Sequence, residues 1–366
     1  MYMKCSLPEY PARSDMWDEI AGSKRPIAVY GMGNGADKLF ERLAEYGVMP
    51  NGVFASDGFV RGHNFRGFLV KPISTVKDEL GEDAIVLLSF ASSRPEVLDM
   101  LGKINNENDM FVPDMPVAGS EYFDKDFYNK NYEDILAVYD ILEDDDSKNA
   151  YAAIINYKLS GRAKYLFGCS SDTDSIYALL PKSIKHAVDA GAYNGDTVRE
   201  LMRYRDDVEK IYAFEPDSRN CRKLAKFKEE SSLDILEIFN AAVWSEDTGG
   251  VFTGSGNRNS SVNSTSSYKK REESISLMKI DTAVGDAPLD YVKYDVEGAE
   301  EEAILGTDSA IRNNMPALLI SLYHRSEDIF KLPLLIKQKY PEYSLYIRRT
   351  PCLPAWEIAL IAVKRG

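Results

Sequence analysis

Five apolar segments in the second half of this chain each stop on polar residues. "HAVDAG" delivers Asp189, then Gly191, Ala192, Tyr193, Asn194, Gly195, Asp196 and Thr197. "KIYAFEP" delivers Glu215 and Pro216, with Asp217 next; "LEIFNAAVW" carries Asn240 and Ala241. "DYVKYDVEG" carries Asp295 and Glu297, and "ALLISLYH" stops on His324. Read as parallel strands, these segments bring their polar ends to one rim, where ligands of open α/β sheets bind. Gly191 and Gly195 let the backbone approach a ligand, and the helix that follows presents its N-terminus. Glu215, 24 residues past Gly191, suits the two vicinal hydroxyls of a ribose. Asp189 and Asp196 would repel a pyrophosphate. A cationic, phosphate-free nucleoside fits the rim better, and S-adenosyl-L-methionine is one.

Taken singly, each residue has a plainer role. An Asp that ends a strand often caps the next helix, and Glu215 or His324 alone would be an ordinary surface or structural side chain. The set at one rim, in sheet order, is what points to a site.

A second glycine loop stands earlier, in "AVYGMGNGADKL". Gly31, Gly33 and Ala36 fit G-x-G-x-x-A directly after a strand, and Asp57 closes the next strand, which is the dinucleotide fingerprint. The region around it is about 90 residues long and reads as half of a doubled mononucleotide fold. Nucleotide or nucleotide-sugar binding, a structural or dimerising role, and NAD binding all stay open for it, and a homodimer with them.

These loops must be positioned by a larger framework. The 366 residues exceed a usual single core, which predicts more than one domain. In residues 26–118, "PIAVYG", "NGVFAS" and "DAIVLLSF" read as strands, with "ADKLFERLAEYG" and "RPEVLDMLGKI" as helices, the alternation of a small parallel sheet. "FVPDMPVAGSEYFD" breaks the pattern with two prolines. "YEDILAVYDILED" and "SKNAYAAIINYKLSG" turn helical, with Ser147 as the predicted N-cap after a solvated acidic turn, Glu143 to Asp146. The second α/β unit follows, and its last two strands, "YSLYIRR" and "WEIALIAV", form a hairpin. "GGVFTGSGNRNSSVNSTSSYKKREES" is too long for a simple connection and reads as a mobile loop or a β excursion. The expected units are 1–120, a small Rossmann-like nucleotide-binding-type domain; 121–180, a helical connector; and 181–366, the site-bearing domain.

The charge sum of −14 and a pI near 4.9 argue against nucleic acid or an anionic membrane as partner, since phosphate binding needs a basic footprint. Cys5, Cys169, Cys221 and Cys352 show no metal-ligand spacing, and no run approaches 18 apolar residues. These features read as a reduced, cytoplasmic protein, in which the sequons at Asn259 and Asn263 carry no sugar.

"AVDAGAYNGDT", "YAFEPDSRN", "DYVKYDVEGAEEEAILG" and "LLISLYHRSEDIFKLP" together resemble the FkbM family of S-adenosylmethionine-dependent methyltransferases. The resemblance covers about residues 180 to 362, and the helical stretch before it resembles the leader of two-domain members. It implies a class I methyltransferase fold, a Rossmann-like sheet of seven strands with the last antiparallel, and methyl transfer to an oxygen of a sugar or secondary metabolite. It implies that Asp189, Gly191, Tyr193, Asn194 and Asp196 line the methionine side and that Glu215 takes the ribose. Asp217, Asn240 and Ala241 would flank the adenine, and Asp295 and Glu297 would face the methyl group. "YIRRTP" and "WEIALIAV" depart from the family's usual ending, so acceptor contacts there do not carry over. The N-terminal stretch resembles the small domain preceding sugar-nucleotide acetyltransferases, which contacts a nucleotide-sugar.

The expectation is therefore an O-methyltransferase acting on a hydroxyl of a small molecule. A hydroxyl is a poor nucleophile and gains from a general base. His324 is the first candidate, as a neutral imidazole near pKa 6.5, and Asp295 the second, as its orienter or as base. No metal is expected; a metal-assisted version would use Asp295, Glu297 and Asp189, although the D-V-E-G segment also serves as a plain helix start. The rivals are a non-catalytic nucleotide or nucleotide-sugar binding protein, and an NAD-dependent oxidoreductase using the first glycine loop.

Overall fold

Short apolar runs, most of them four or five residues and too short for a helix, form the central parallel strands of two sheets. The structure, a computed structural model, describes residues 4–254, 261–262 and 271–364. The first sheet is built from β1 (Ile27–Tyr30), β2 (Gly52–Ala55), β3 (Lys71–Pro72), β4 (Ile85–Leu88) and β5 (Asp109–Phe111). Helix α1 (Asn34–Glu45) follows the first glycine loop, and α2 (Pro95–Glu107) joins β4 to β5. Strand order is β3-β2-β1-β4-β5, all parallel. This corrects the half-fold expected from sequence. The sheet extends to both sides of β1, with the glycine loop at the switch between β1 and β4. The short strands β3 and β5 gave no periodic signal of their own.

The helices between the two sheets include α3 (Tyr132–Ile141) and α4 (Asp145–Ser160). Helix α4 is buried on nearly all sides, as its apolar run from Ala150 to Ile155, followed by Tyr157 and Leu159, requires. Its N-cap is Asp144, which accepts the Ser147 N–H at 2.7 Å. The expected cap, Ser147, is instead buried one turn inside, where its hydroxyl accepts from Ile347 N at 3.0 Å. Asp144 also pairs with Arg348 at 2.6 Å, so the acidic turn is a docking point for the last strands and not a solvated link.

The second sheet contains β6 (His186–Ala190), β7 (Lys210–Phe214) and β8 (Leu236–Phe239). Outside it, β9 (Ala241–Val243), β10 (Thr248–Gly254), β11 (Ser261–Val262) and β12 (Arg271–Met278) form an excursion, in which β12 pairs with both β9 and β10. Strands β13 (Tyr291–Tyr294), β14 (Ala317–Ser321), β15 (Tyr343–Arg349) and β16 (Ile358–Lys364) complete the main sheet. Its order is β8-β7-β6-β13-β14-β16-β15, seven strands with β16 antiparallel to both neighbours. This is the expected seven-stranded α/β fold with an antiparallel last strand and a terminal hairpin.

The predicted third strand divides at Asn240. Its second part joins a four-stranded sheet, β9-β12-β10-β11, so the Gly/Ser-rich stretch is a β excursion in its described part. The sequons at Asn259 and Asn263 lie outside the described residues. One apolar cluster runs from Tyr30 and Phe54 through Tyr151 and Ile155 to Val188 and Leu360, joining both sheets and the helices between them. Among the described residues no helix is long and apolar enough to cross a membrane.

Candidate functional site

The carboxyl ends of β6, β7, β13 and β14 open onto a cavity of about 360 Å³. Glu215 sits one residue past β7 and is 6% exposed. Two backbone N–H groups hold its carboxylate, Tyr193 N at 2.9 Å and Asp217 N at 2.8 Å. Burial pushes its pKa up to about 7, against the pull of those two bonds. A buried carboxylate at the cavity wall, steered by two amides, is a fixed acceptor pair.

The loop from Asp189 to Thr197 folds around this carboxylate. Gly191 has φ of +90°, and a Cβ there would lie 2.0 Å from the Asp295 carbonyl oxygen. Glycine is required so that the loop can cross the end of β13, a demand of the fold before any ligand arrives. Asp189 is 5% exposed and accepts the Thr197 hydroxyl proton. Its other oxygen lies 3.8 Å from the Lys293 ammonium, and burial raises its pKa.

Gly191, Tyr193, Asp196, Thr197, Glu215 and Pro216 line the cavity, as does Ala241. Five expected cofactor residues do not. Asp189 lies beneath the loop and orients Thr197. Ala192 is fully buried in the core and its N–H is donated to Phe214 O at 2.9 Å. Asn194 turns outward, accepting from Arg199 Nη2 at 3.3 Å. Asp217 caps the next helix through Arg219 N and Asn220 N, at 2.8 and 3.0 Å. The Asn240 amide donates to Glu215 O and Pro216 O, at 2.8 and 3.1 Å. It buttresses the turn that holds Glu215.

At the other end of the cavity, Asp295 is the hub. Its Oδ1 accepts from the Ser321 and Tyr323 hydroxyls, each at 3.0 Å, and Lys293 Nζ approaches Oδ2 at 3.2 Å. Burial opposes its ionisation, but Lys293 and His324 outweigh that and hold the pKa at about 2. His324 lies three residues beyond the end of β14, in the loop and not on the strand. Its Nδ1 is 2.8 Å from Glu300, and its Nε2 is 3.4 Å from Asp295 and 3.7 Å from Glu297. Burial alone would lower its pKa; the three carboxylates reverse this and push it up to about 10. The imidazole is 1% exposed and does not line the cavity. At neutral pH it is a cation with no vacant nitrogen, so the neutral general base expected from sequence is corrected. His324 holds Asp295 and Glu297 in place.

Among the described non-glycine residues, six have φ in the left-handed region, and Tyr193, Glu297 and Glu357 of these line the cavity, at 46°, 55° and 62°. Such conformations cost energy and concentrate at functional sites. Sequence reasoning missed Lys293, Tyr323, Trp356, Glu357 and Val117. Lys293 left a signal: a lysine inside the apolar run "YVKY" on a strand buried on both faces must have a partner. Trp356 stacks on Tyr323 with ring centroids 6.4 Å apart, which only the fold brings together. Among the described residues, no group of three or more His, Cys, Asp or Glu is arranged to hold a metal ion.

At the first glycine loop, Ser89 Oγ and Phe90 fill the space beside Gly31, and only Gly33 of the pair faces open space. Asp57 lies beyond β2, in a short turn, and accepts Ser74 N at 3.3 Å.

Comparison with known proteins bears on the fold that carries this rim. The chain has the fold of a methyltransferase FkbM from Methylobacillus flagellatus KT, at 18% identity over 98% of this chain and 94% of that one, with a TM-score of 0.68. Smaller similarities extend to an rRNA methylase from Streptococcus thermophilus (13% identity, 52% and 92% covered, TM-score 0.34). Aeropyrum pernix fibrillarin with natively bound S-adenosyl-L-methionine is another (11%, 50% and 67%, 0.32). No curated protein matches in sequence. The family model for the methyltransferase FkbM domain matches from Asp189 to Tyr343. The residues matched, 189–343, include the carboxylate rim at the ends of the central strands of a sheet with the methyltransferase fold.

Proposed function

We propose that the protein is an S-adenosyl-L-methionine-dependent O-methyltransferase acting on a hydroxyl of a small molecule of the sugar or secondary-metabolite class. The observation that carries this reading is Glu215, buried at the end of β7, steered by two amides and facing an open cavity. The residues fit such a cofactor. Glu215 offers the two acceptor oxygens that vicinal ribose hydroxyls need, and Ala241, with Pro216, leaves an apolar face for a base. Asp196 at the loop places negative charge near a cationic amino-acid end. S-adenosylmethionine supplies, when bound, an electrophilic methyl group on a sulfonium.

The chain's own residues then orient the acceptor. Asp295, ionised throughout the physiological range and fixed by Ser321, Tyr323 and Lys293, receives the acceptor hydroxyl as a hydrogen-bond donor. Orientation of two reactants is the main contribution a protein makes to an in-line displacement. An acceptor oxygen methylated as the carbon–sulfur bond breaks would be an oxonium and strongly acidic, so the Asp295 carboxylate, with pKa about 2, would suffice to take its proton. Tyr323 and Trp356 give this end of the cavity an aromatic wall suited to a sugar face. In this reading residues 181–366 hold the donor, 121–180 connect, and 1–120 are an accessory unit.

The test is thermal unfolding with S-adenosylhomocysteine, NAD and UDP-glucose side by side. Stabilisation follows ligand excess over Kd and reaches about 2.7 kcal/mol at 100-fold excess. Stabilisation by S-adenosylhomocysteine is expected. Stabilisation by NAD or UDP-glucose alone would move the function to the first glycine loop.

A further inference from the structure

We propose that the acceptor end of this cavity is walled by the segment arriving from the first sheet, with Val117 as its specificity-determining side chain. Val117 lines the cavity although it lies 72 residues before Asp189, where the family match begins. The donor end is set by Gly191, Glu215 and Ala241, on the β6, β7 and β9 side of Asp295. Val117 belongs to the opposite end, because its neighbours are the loops after β13 and β14. Ala118 N donates to His324 O at 2.8 Å, and a Cβ on Gly298 would meet the Ala118 Cβ at 2.5 Å. The Ser326 hydroxyl donates to Glu121 O at 2.6 Å. These contacts press residues 118–121 onto the D-V-E-G turn and the His324 loop.

The other side of the segment is tied to the first sheet. Lys38, on α1 behind the first glycine loop, donates from Nζ to Pro116 O at 2.6 Å. Arg42, one turn on, reaches Asp124 at 2.8 Å. A second tie runs in parallel: Ser92, after β4, exchanges backbone hydrogen bonds of 2.8 and 3.0 Å with Leu353, in the connection that carries Trp356 and Glu357. The carboxyl edge of the first sheet therefore supports two walls of the acceptor end. The two glycine loops serve one reaction: the second holds the donor, and the first, through Lys38, positions the wall that admits the acceptor.

This inference rests on the donor reading, and the probe separates the two without knowledge of the acceptor. It is a series of S-adenosylhomocysteine analogues with nitrogen in place of sulfur, carrying linear alkyl chains from methyl to hexyl into the acceptor end. Calorimetry on the full chain compares each with S-adenosylhomocysteine. In Val117→Trp, the hexyl analogue is expected to lose affinity at least about tenfold, since overfilling a packed space is costly, while S-adenosylhomocysteine stays within about threefold. Val117→Ala, which leaves the fold unburdened, should weaken the hexyl analogue about threefold or more through lost apolar contact, again sparing S-adenosylhomocysteine. Lys38→Ala should weaken the hexyl analogue by about three- to tenfold, and Lys38→Arg should restore it, as a held position and not a charge sum is at stake. Equal changes for both ligands, or none for either, overturn the proposal. A wild type that binds no S-adenosylhomocysteine overturns the donor reading and this inference with it.

Discussion

Replacing His324 by Asn separates an electrostatic clamp from a general base. The imidazole is 1% exposed, against Glu300 at 2.8 Å with Asp295 and Glu297 beyond. A rise from 6.5 to about 10, at 1.36 kcal/mol per pH unit, favours the charged form by about 5 kcal/mol at most. The folded value lies above the unfolded one, so this stabilisation is fully present below pH 6.5 and is lost as the pH rises through about 10. His324→Asn leaves buried carboxylates without their cation, which costs about 3–5 kcal/mol. The variant should therefore unfold at lower urea than the wild type at pH 6.5, and the gap should close toward pH 10. Apparent midpoints from near-ultraviolet circular dichroism at pH 6.5, 7.5, 9 and 10 give the comparison. A variant as stable as the wild type at pH 6.5, or a His324 resonance titrating near pH 6.5, would refute the clamp and restore the neutral base.

Three further outcomes follow from the same geometry. Gly191→Val should abolish soluble, folded protein and not merely ligand binding, because its Cβ would meet the Asp295 carbonyl at 2.0 Å; expression and circular dichroism decide this. Lys293→Met should destabilise the chain by about 3–5 kcal/mol in urea unfolding, since Asp189 and Asp295 lose their shared cation. Glu215→Ala should weaken S-adenosylhomocysteine by about 1.5–3 kcal/mol in calorimetry, the worth of hydrogen bonds to a charged group.

Much of the framework is legible in the sequence because central parallel strands are short apolar runs bounded by Gly, Pro and Asp. All seven strands of the main sheet can be marked that way, and so can the rim of polar residues at their ends. The division at Asn240 cannot, since "LEIFNAAVW" is apolar throughout and the partners of its second part lie in a Gly/Ser-rich stretch that looks like loop. Ser147 and Asp144 were confused because both are good caps; docking of β15 on α4, which buries Ser147, decides between them. At the site, residue type was readable but surroundings were not. His324 looks like a base in one dimension and becomes a buried cation only when Glu300, 24 residues earlier, folds against it. Asp217 and Asn240 likewise are spent on a helix cap and a turn. Val117 gave no signal at all, because nothing local distinguishes a wall residue from any other valine.

The central claim is that Glu215 and the loop from Gly191 to Thr197 form the donor pocket of a methyltransferase. The most direct test is calorimetric titration of S-adenosylhomocysteine at pH 6, 7 and 8. Glu215 in the free protein has a pKa of about 7, and ribose hydroxyls bind its ionised form, so binding should release a proton. Affinity should then rise about tenfold from pH 6 to pH 8, and this rise should vanish in Glu215→Gln. Absence of binding at every pH, or an affinity that is flat across the range in the wild type, would contradict it.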